Sequence, residues 1–95
     1  MKNTISTKGF TKLSKEQVHI KKLIAHYAAT YELKRGGFDE LHVVRKDIHK
    51  TVNSTVHNIK VNMYIGGKLF HAESEDYDVL VALDDAFTSV DTAMS

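Results

Sequence analysis

The sequence predicts an α+β domain of element order β–α–β–β–β–α, a two-layer sandwich with two helices packed on one face of a four-stranded sheet. Three observations predict it. Residues 14–31 and 78–93 repeat apolar side chains at spacings of three and four, the period of a helix with one buried face. Ile59, Val61, Met63 and Ile65 alternate with Asn58, Lys60, Asn62 and Tyr64, the period of a strand buried on one side. Gly66-Gly67 follows at once and suits a two-residue hairpin, because both central positions of the favoured turn need positive φ. Two amphipathic helices and an antiparallel hairpin then share one core.

The elements follow in order. Thr4-Ile5-Ser6-Thr7 before Lys8-Gly9 reads as a short strand ending in a glycine turn. Ser14 followed by Gln17 fits a capping box, in which two side chains satisfy backbone N–H groups that the first helical turn leaves open. Val18, Ile20, Leu23, Ile24, Tyr27, Ala28 and Tyr31 form the expected core stripe of the helix. Lys15, His19, Lys22 and His26 fall on the opposite, exposed face. Lys34 and Arg35 place cations against the carbonyls of the last turn, and Gly36-Gly37 ends it. Residues 41–49 read as a strand and 51–55 as a loop. Residues 56–65 and 68–73 make the hairpin. Asp76 or Asp78 caps a second helix whose apolar face is Val79, Val81, Ala82, Leu83, Ala86, Phe87 and Val90.

Ninety-five residues without repeats, low-complexity tracts or linkers suggest a single domain, 1–95, too small for a deep enclosed cleft. The absence of Cys excludes disulfides, thiolate zinc sites and Cys nucleophiles. No apolar run approaches a membrane span or a signal peptide, so the chain reads as intracellular and cytoplasmic, and Asn53-Ser54-Thr55 as a chance glycosylation match.

The net charge of +1 hides a segregation. Residues 1–72 hold all 13 Lys and Arg against five acids, whereas residues 73–95 hold seven acids and no Lys or Arg. A solvated surface explains part of this, but a basic face beside an acidic one is also implied. Lys12, Lys15, Lys21, Lys22, Lys34 and Arg35 lie on or beside the first helix, and Arg45, Lys46 and Lys50 follow in the second strand. Gathered into one stripe, they would bind an RNA backbone by releasing its counterions.

Catalytic readings find less support. His19 and His26 are seven residues apart, about 10.5 Å along a helix, too far for joint metal ligation. Glu75-Asp76 and Asp84-Asp85 are adjacent pairs, which diverge on a helix rather than converge in a pocket. Neither glycine pair has the spacing or the Lys-Ser/Thr ending of a phosphate loop. Tyr27 and Tyr31 are spaced as core residues, and Tyr64 is the one aromatic expected on an exposed strand face. No enzyme, metal, cofactor or small-molecule substrate is expected.

Particular residues resemble a known family. Ile5-Ser6-Thr7-Lys8-Gly9-Phe10 running into Leu13-Ser14 is similar to the first strand and helix cap of the short ribosome hibernation-promoting factors, also called ribosome-associated inhibitor or sigma-factor modulation proteins. Ile65-Gly66-Gly67-Lys68-Leu69-Phe70-His71-Ala72-Glu73 resembles the family's hairpin, and Asp78-Val79-Leu80-Val81-Ala82-Leu83-Asp84, continuing to Val90-Asp91, resembles its last-helix signature. The resemblance implies a layout related to double-stranded-RNA-binding domains, without catalysis. It implies binding to small-subunit rRNA in the mRNA and tRNA channel and inhibition of translation in stationary phase, a stress response. In the family the last helix continues with Lys and Arg, but here Thr88-Ser89-Val90-Asp91-Thr92-Ala93 is neutral or acidic. The RNA contacts that carry over are therefore Lys12, Lys15, Lys22, Arg45, Lys46 and Lys50. The alternative is a divergent member that has exchanged RNA for a protein partner or a second copy of itself, through the last helix or an edge strand.

Overall fold

A computed structural model describes residues 3–94 apart from 12, 14 and 51–53, and describes residues 49 and 50 by their backbone alone. The order is β1 (Thr4–Lys8), α1 (Gln17–Arg35), β2 (Glu40–Lys50), β3 (Thr55–Ile65), β4 (Lys68–Asp76) and α2 (Val79–Met94). The four strands make one mixed sheet in the order β1-β2-β3-β4, with β1 parallel to β2 and the other pairs antiparallel. Two helices cover one face. This is the predicted two-layer β–α–β–β–β–α sandwich.

The core follows from the alternation in β2 and β3. Leu41 pairs with Met63 and Val43 with Val61, so these four side chains and Ile59 point to the same side of the sheet. All five are fully buried. From above, Ile20, Ile24, Ala28 and Tyr31 of α1 and Val79, Ala82, Leu83, Ala86, Phe87 and Val90 of α2 close the core, with Phe10 and Phe38 from the connections. Each large apolar side chain so enclosed contributes about 1.5–3 kcal/mol. Tyr31 brings a polar atom into this layer and satisfies it by donating to the Phe87 carbonyl at 3.0 Å.

Two members of the predicted apolar stripes are not in the core. Val18 is 60% exposed and Val81 is 43% exposed. Each stands at the margin of its stripe, where the helix surface turns away from the sheet. The first helical turn also differs from the expected capping box. Ser14 lies outside the described residues, α1 begins at Gln17, and its N-cap residue Glu16 makes no side-chain cap. Gln17 instead uses its side-chain amide to donate to the Phe10 carbonyl, which ties the helix to the preceding turn.

The predicted ends of the other elements hold within a few residues. The positive φ of Gly36 allows its N–H to reach the Glu32 carbonyl at 3.0 Å and terminate α1. Asp78 accepts the Leu80 N–H at 2.9 Å as the cap of α2, while Asp76 accepts the Asp78 N–H at 2.9 Å. β4 runs three residues beyond the predicted end, through Ser74 to Asp76, because the partners Ile59 to His57 continue the ladder whatever the side-chain pattern. Of the expected loop 51–55, Thr55 belongs to β3, Ser54 precedes it, and the remainder lies outside the described residues.

Gly9, just after β1, packs directly against the β2 backbone. Its φ is +90°, and a Cβ at this position would run into the Arg45 carbonyl oxygen. Gly9→Ala therefore combines backbone strain with a steric overlap that the β2 backbone cannot relieve. We expect a loss of about 3 kcal/mol in chemical denaturation, and a loss below 1 kcal/mol would show that this approach is not constrained.

Candidate nucleic-acid interface

The alternation of a strand decides where the cations of β2 go. Arg45 and Lys46 are consecutive and must leave opposite faces of the sheet. Lys46 stands exposed on the face without helices. Arg45 points toward the helices and is 8% exposed. Its guanidinium spans three segments of the chain: Nη1 donates to the Gly9 carbonyl at 2.9 Å, Nε donates to His57 Nδ1 at 2.8 Å, and Nη2 bonds the Asp47 carboxylate. The expectation that Arg45 contacts RNA is thus corrected. A phosphate would have to displace three satisfied interactions in an environment nearly closed to solvent.

His57 receives that bond because its ring is neutral at Nδ1. Burial lowers its pKa from the ordinary 6.5, and the neighbouring Arg45 charge lowers it further. The proton would then sit on Nε2, where it does not compete with Arg45.

On the helical side, the exposed cations of α1 meet the acids of α2. Lys15 is exposed in the turn before α1, and Lys21, Lys22, Lys34 and Arg35 are exposed along it. Tyr27 lies stacked on Phe87, with ring centroids 4.7 Å apart and planes 6° from parallel, and its hydroxyl donates to Asp84. Burial, then the bond to Asp84, raises its pKa. Tyr31 is shifted in the same direction, mainly by burial. Lys34 Nζ lies 3.6 Å from Asp91 Oδ2 near the far end of the pair. Between the two helices runs an open groove of about 500 Å³, floored by Leu23, Leu80 and Val81 and edged by His19, Lys22, His26 and Asp84. Lys22 therefore shares its surroundings with a carboxylate of α2. His19 and His26 are exposed, as expected, but they edge this groove rather than a surface remote from α2.

The uncovered face of the sheet holds cations that the sequence reading passed over. Lys8, Val44 and Lys60 are cross-strand neighbours in one row, and Lys46 follows two residues along β2. Beyond them, on β4, Glu73 and Glu75 accept from the Asn58 side-chain amide at 2.7 and 3.3 Å. In the adjoining rows, Tyr64 meets His42 edge-on at 5.9 Å and His71 bonds the Asn62 side chain. The period of β3 alone would have placed Lys60 on this face, but its nearness to Lys8 needed the parallel pairing of β1 with β2.

The six expected RNA contacts are thus divided. Lys15 and Lys22 belong to the helical side, Lys46 to the open sheet face and Arg45 to the interior, while Lys12 and the side chain of Lys50 lie outside the described residues. Among the described residues, no group of three or more His, Asp or Glu side chains is arranged to hold a metal, and no helix is long and apolar enough to cross a membrane.

Comparison with solved structures finds the same fold in known proteins. A ribosomal subunit interface protein from Coxiella burnetii superposes with a TM-score of 0.66 at 15% identity, over 95% of this chain and 91% of that one. The N-terminal domain of Protein Y from Thermus thermophilus superposes with a TM-score of 0.61 at 20% identity, over 98% of this chain and 94% of that one. The chain shares their fold. No family model matches the sequence, and no curated protein matches it significantly. The likeness is carried by the backbone, from β1 to α2.

The Arg45–His57 contact makes stability depend on pH. Folding holds the His57 pKa below 6.5, so in the interval beneath that value unfolding takes up a proton. Stability should rise as pH climbs toward 6.5 and level off above it. Guanidinium denaturation at pH 5.5 and 7.5 should show this slope, and His57→Gln should flatten it. Arg45→Ala should cost about 2–4 kcal/mol at pH 7.5, because it leaves buried acceptors without a donor. A pH slope unchanged in His57→Gln would remove His57 as its source.

Proposed function

We propose that this chain is a non-enzymatic, cytoplasmic ribosome-associated factor that binds small-subunit rRNA and restrains translation during ribosome hibernation. The observation that carries the reading is the superposition of nearly the whole chain on two proteins, one described as a ribosomal subunit interface protein and the other as a Protein Y domain. The exposed cations of α1 supply the chemistry. Lys15 and Lys22, with Lys12 nearby in the sequence, meet the phosphate backbone from the helical side. Lys46 adds to it from the open face of β2, with Lys50 nearby in the sequence, while Arg45 positions rather than contacts.

Electrostatics sets the strength of this contact. Each phosphate neutralised by a Lys releases about one counterion, so affinity falls steeply as salt rises. Asp84 and Asp91 stand beside the α1 cations and oppose approach of a polyanion from the α2 side. A chain built this way grips through α1 and depends on low ionic strength more for its range than for its geometry.

Sedimentation of the tagged chain with ribosomes tests the proposal. We expect it in the small-subunit fraction at low salt and its release at high salt. Lys15→Glu combined with Lys22→Glu should weaken association roughly tenfold or more and lower the salt slope by about two, with the circular dichroism spectrum unchanged. Absence of the wild-type chain from the small-subunit fraction at low salt would overturn the proposal.

A further inference from the structure

The margin formed by β4 combines length with open backbone groups. β4 pairs with β3 on one side and ends the sheet on the other. Gly66-Gly67 closes the hairpin with two residues, so Ile65 and Lys68 exchange both of their backbone bonds. It follows that Lys68, Phe70, Ala72, Ser74 and Asp76 aim their backbone groups at β3, whereas Leu69, His71, Glu73 and Glu75 aim theirs outward. The side chains of these last four are all exposed. The strand is nine residues long, contains no Pro and has no register shift against β3. Such an edge is a template for another strand unless its side chains forbid one.

Here the side chains match one another in reverse. We infer that β4 is a homodimerisation strand, pairing antiparallel with β4 of a second copy about a two-fold axis at Ala72 to make one continuous sheet. In this register Lys68 faces the partner's Asp76, His71 faces the partner's Glu73, and Phe70 faces the partner's Ser74. Leu69 with the partner's Glu75, and His71 with the partner's Glu73, become the bonded pairs, so the outward groups satisfy about eight backbone hydrogen bonds across the axis. Neighbouring registers that also match outward groups lose this complementarity. Centred on Glu73, the ladder sets that carboxylate against itself and Phe70 against Asp76. Centred on His71, it leaves Asp76 outside and places His71 opposite itself.

The helix above the edge is compatible with a second copy. Asp84 and Asp91 are turned toward Tyr27 and Lys34 of α1. At 100° per residue, the opposite flank of α2 carries Ser89 and Ala93 exposed, with Ala82 and Ala86 buried beneath them and Asp85 on the solvent side. Two of the helix's carboxylates thus point away from the axis, and the small Ser89 and Ala93 are the exposed side chains on the axis side. Asn58 also holds Glu73 and Glu75 over the sheet rather than across the edge. Pairing of this kind is isologous and consumes both β4 edges, so it stops at two copies.

The inference stands apart from RNA binding and is read on the full chain alone. Sedimentation equilibrium should show a reversible monomer–dimer equilibrium that loosens with salt. Amide hydrogen exchange should slow with protein concentration at residues 69, 71, 73 and 75, but not at 70, 72, 74 and 76, which β3 already protects. Lys68→Glu sets like charges together twice and should weaken the dimer roughly tenfold. Glu73→Pro removes an outward N–H and should give a monomer. If that variant does not fold, Lys68→Glu at the exposed turn still decides the matter. A chain that is monomeric at every concentration overturns the inference, as does a dimer without the alternating protection.

Discussion

The Arg45 guanidinium holds the turn after β1, Asp47 of β2 and His57 of β3 at one point, and the placement of α1 depends on it. Gly9 presents its carbonyl to Arg45, and Phe10 then enters the core. The Phe10 carbonyl in turn receives the Gln17 side chain at the start of the helix. A parallel β1–β2 pair needs a crossover, and this chain of contacts fixes where the crossover helix begins. Burying such a charge is costly unless every donor has a partner. His57 contributes by staying neutral, which burial and the Arg45 charge favour, so the knot depends on pH.

The second constraint is the contact between the helices. Tyr27 and Tyr31 approach Phe87 from α1, and each ends in a hydroxyl bonded to α2. This aligns the basic helix with the acidic one over much of its length. An exposed pair such as Lys34–Asp91 adds at most about 1 kcal/mol to stability. Its larger consequence is for the surface potential. The opposite charges that the sequence keeps in separate segments become neighbours, so the helical side is a seam of both signs. Any polyanion must meet α1 from the side away from Asp84 and Asp91.

Much of the fold was legible because it rests on local signals. The alternation in β3, the glycine turns, the Asp78 cap and the spacing of Ile20, Ile24, Ala28 and Tyr31 each arise from neighbours along the chain. The errors fall where local signals stop. Val18 and Val81 carry apolar side chains at the edges of their stripes, and only the width of the covered face decides that they stay exposed. The last three residues of β4 have no strand pattern of their own and are held by the partner strand. Gln17 chose the Phe10 carbonyl over a capping box, a bond that requires the chain to turn back on itself.

The candidate site was less legible for the same reason. The sequence by itself determined the inventory: a cation-rich first helix, a last segment with seven acids and no Lys or Arg, no thiols, and the order of strands and helices. Periodicity and turn chemistry act over a few residues, so these properties are written in the chain. The tertiary structure decided which charges remain available. It sent Arg45 inward and Lys46 outward, put Lys8 and Lys60 in one row on either side of Val44, and laid Asp84 against the groove that holds Lys22. Those outcomes depend on strand pairing and on helix packing between residues tens of positions apart, and no local pattern encodes the distance between them.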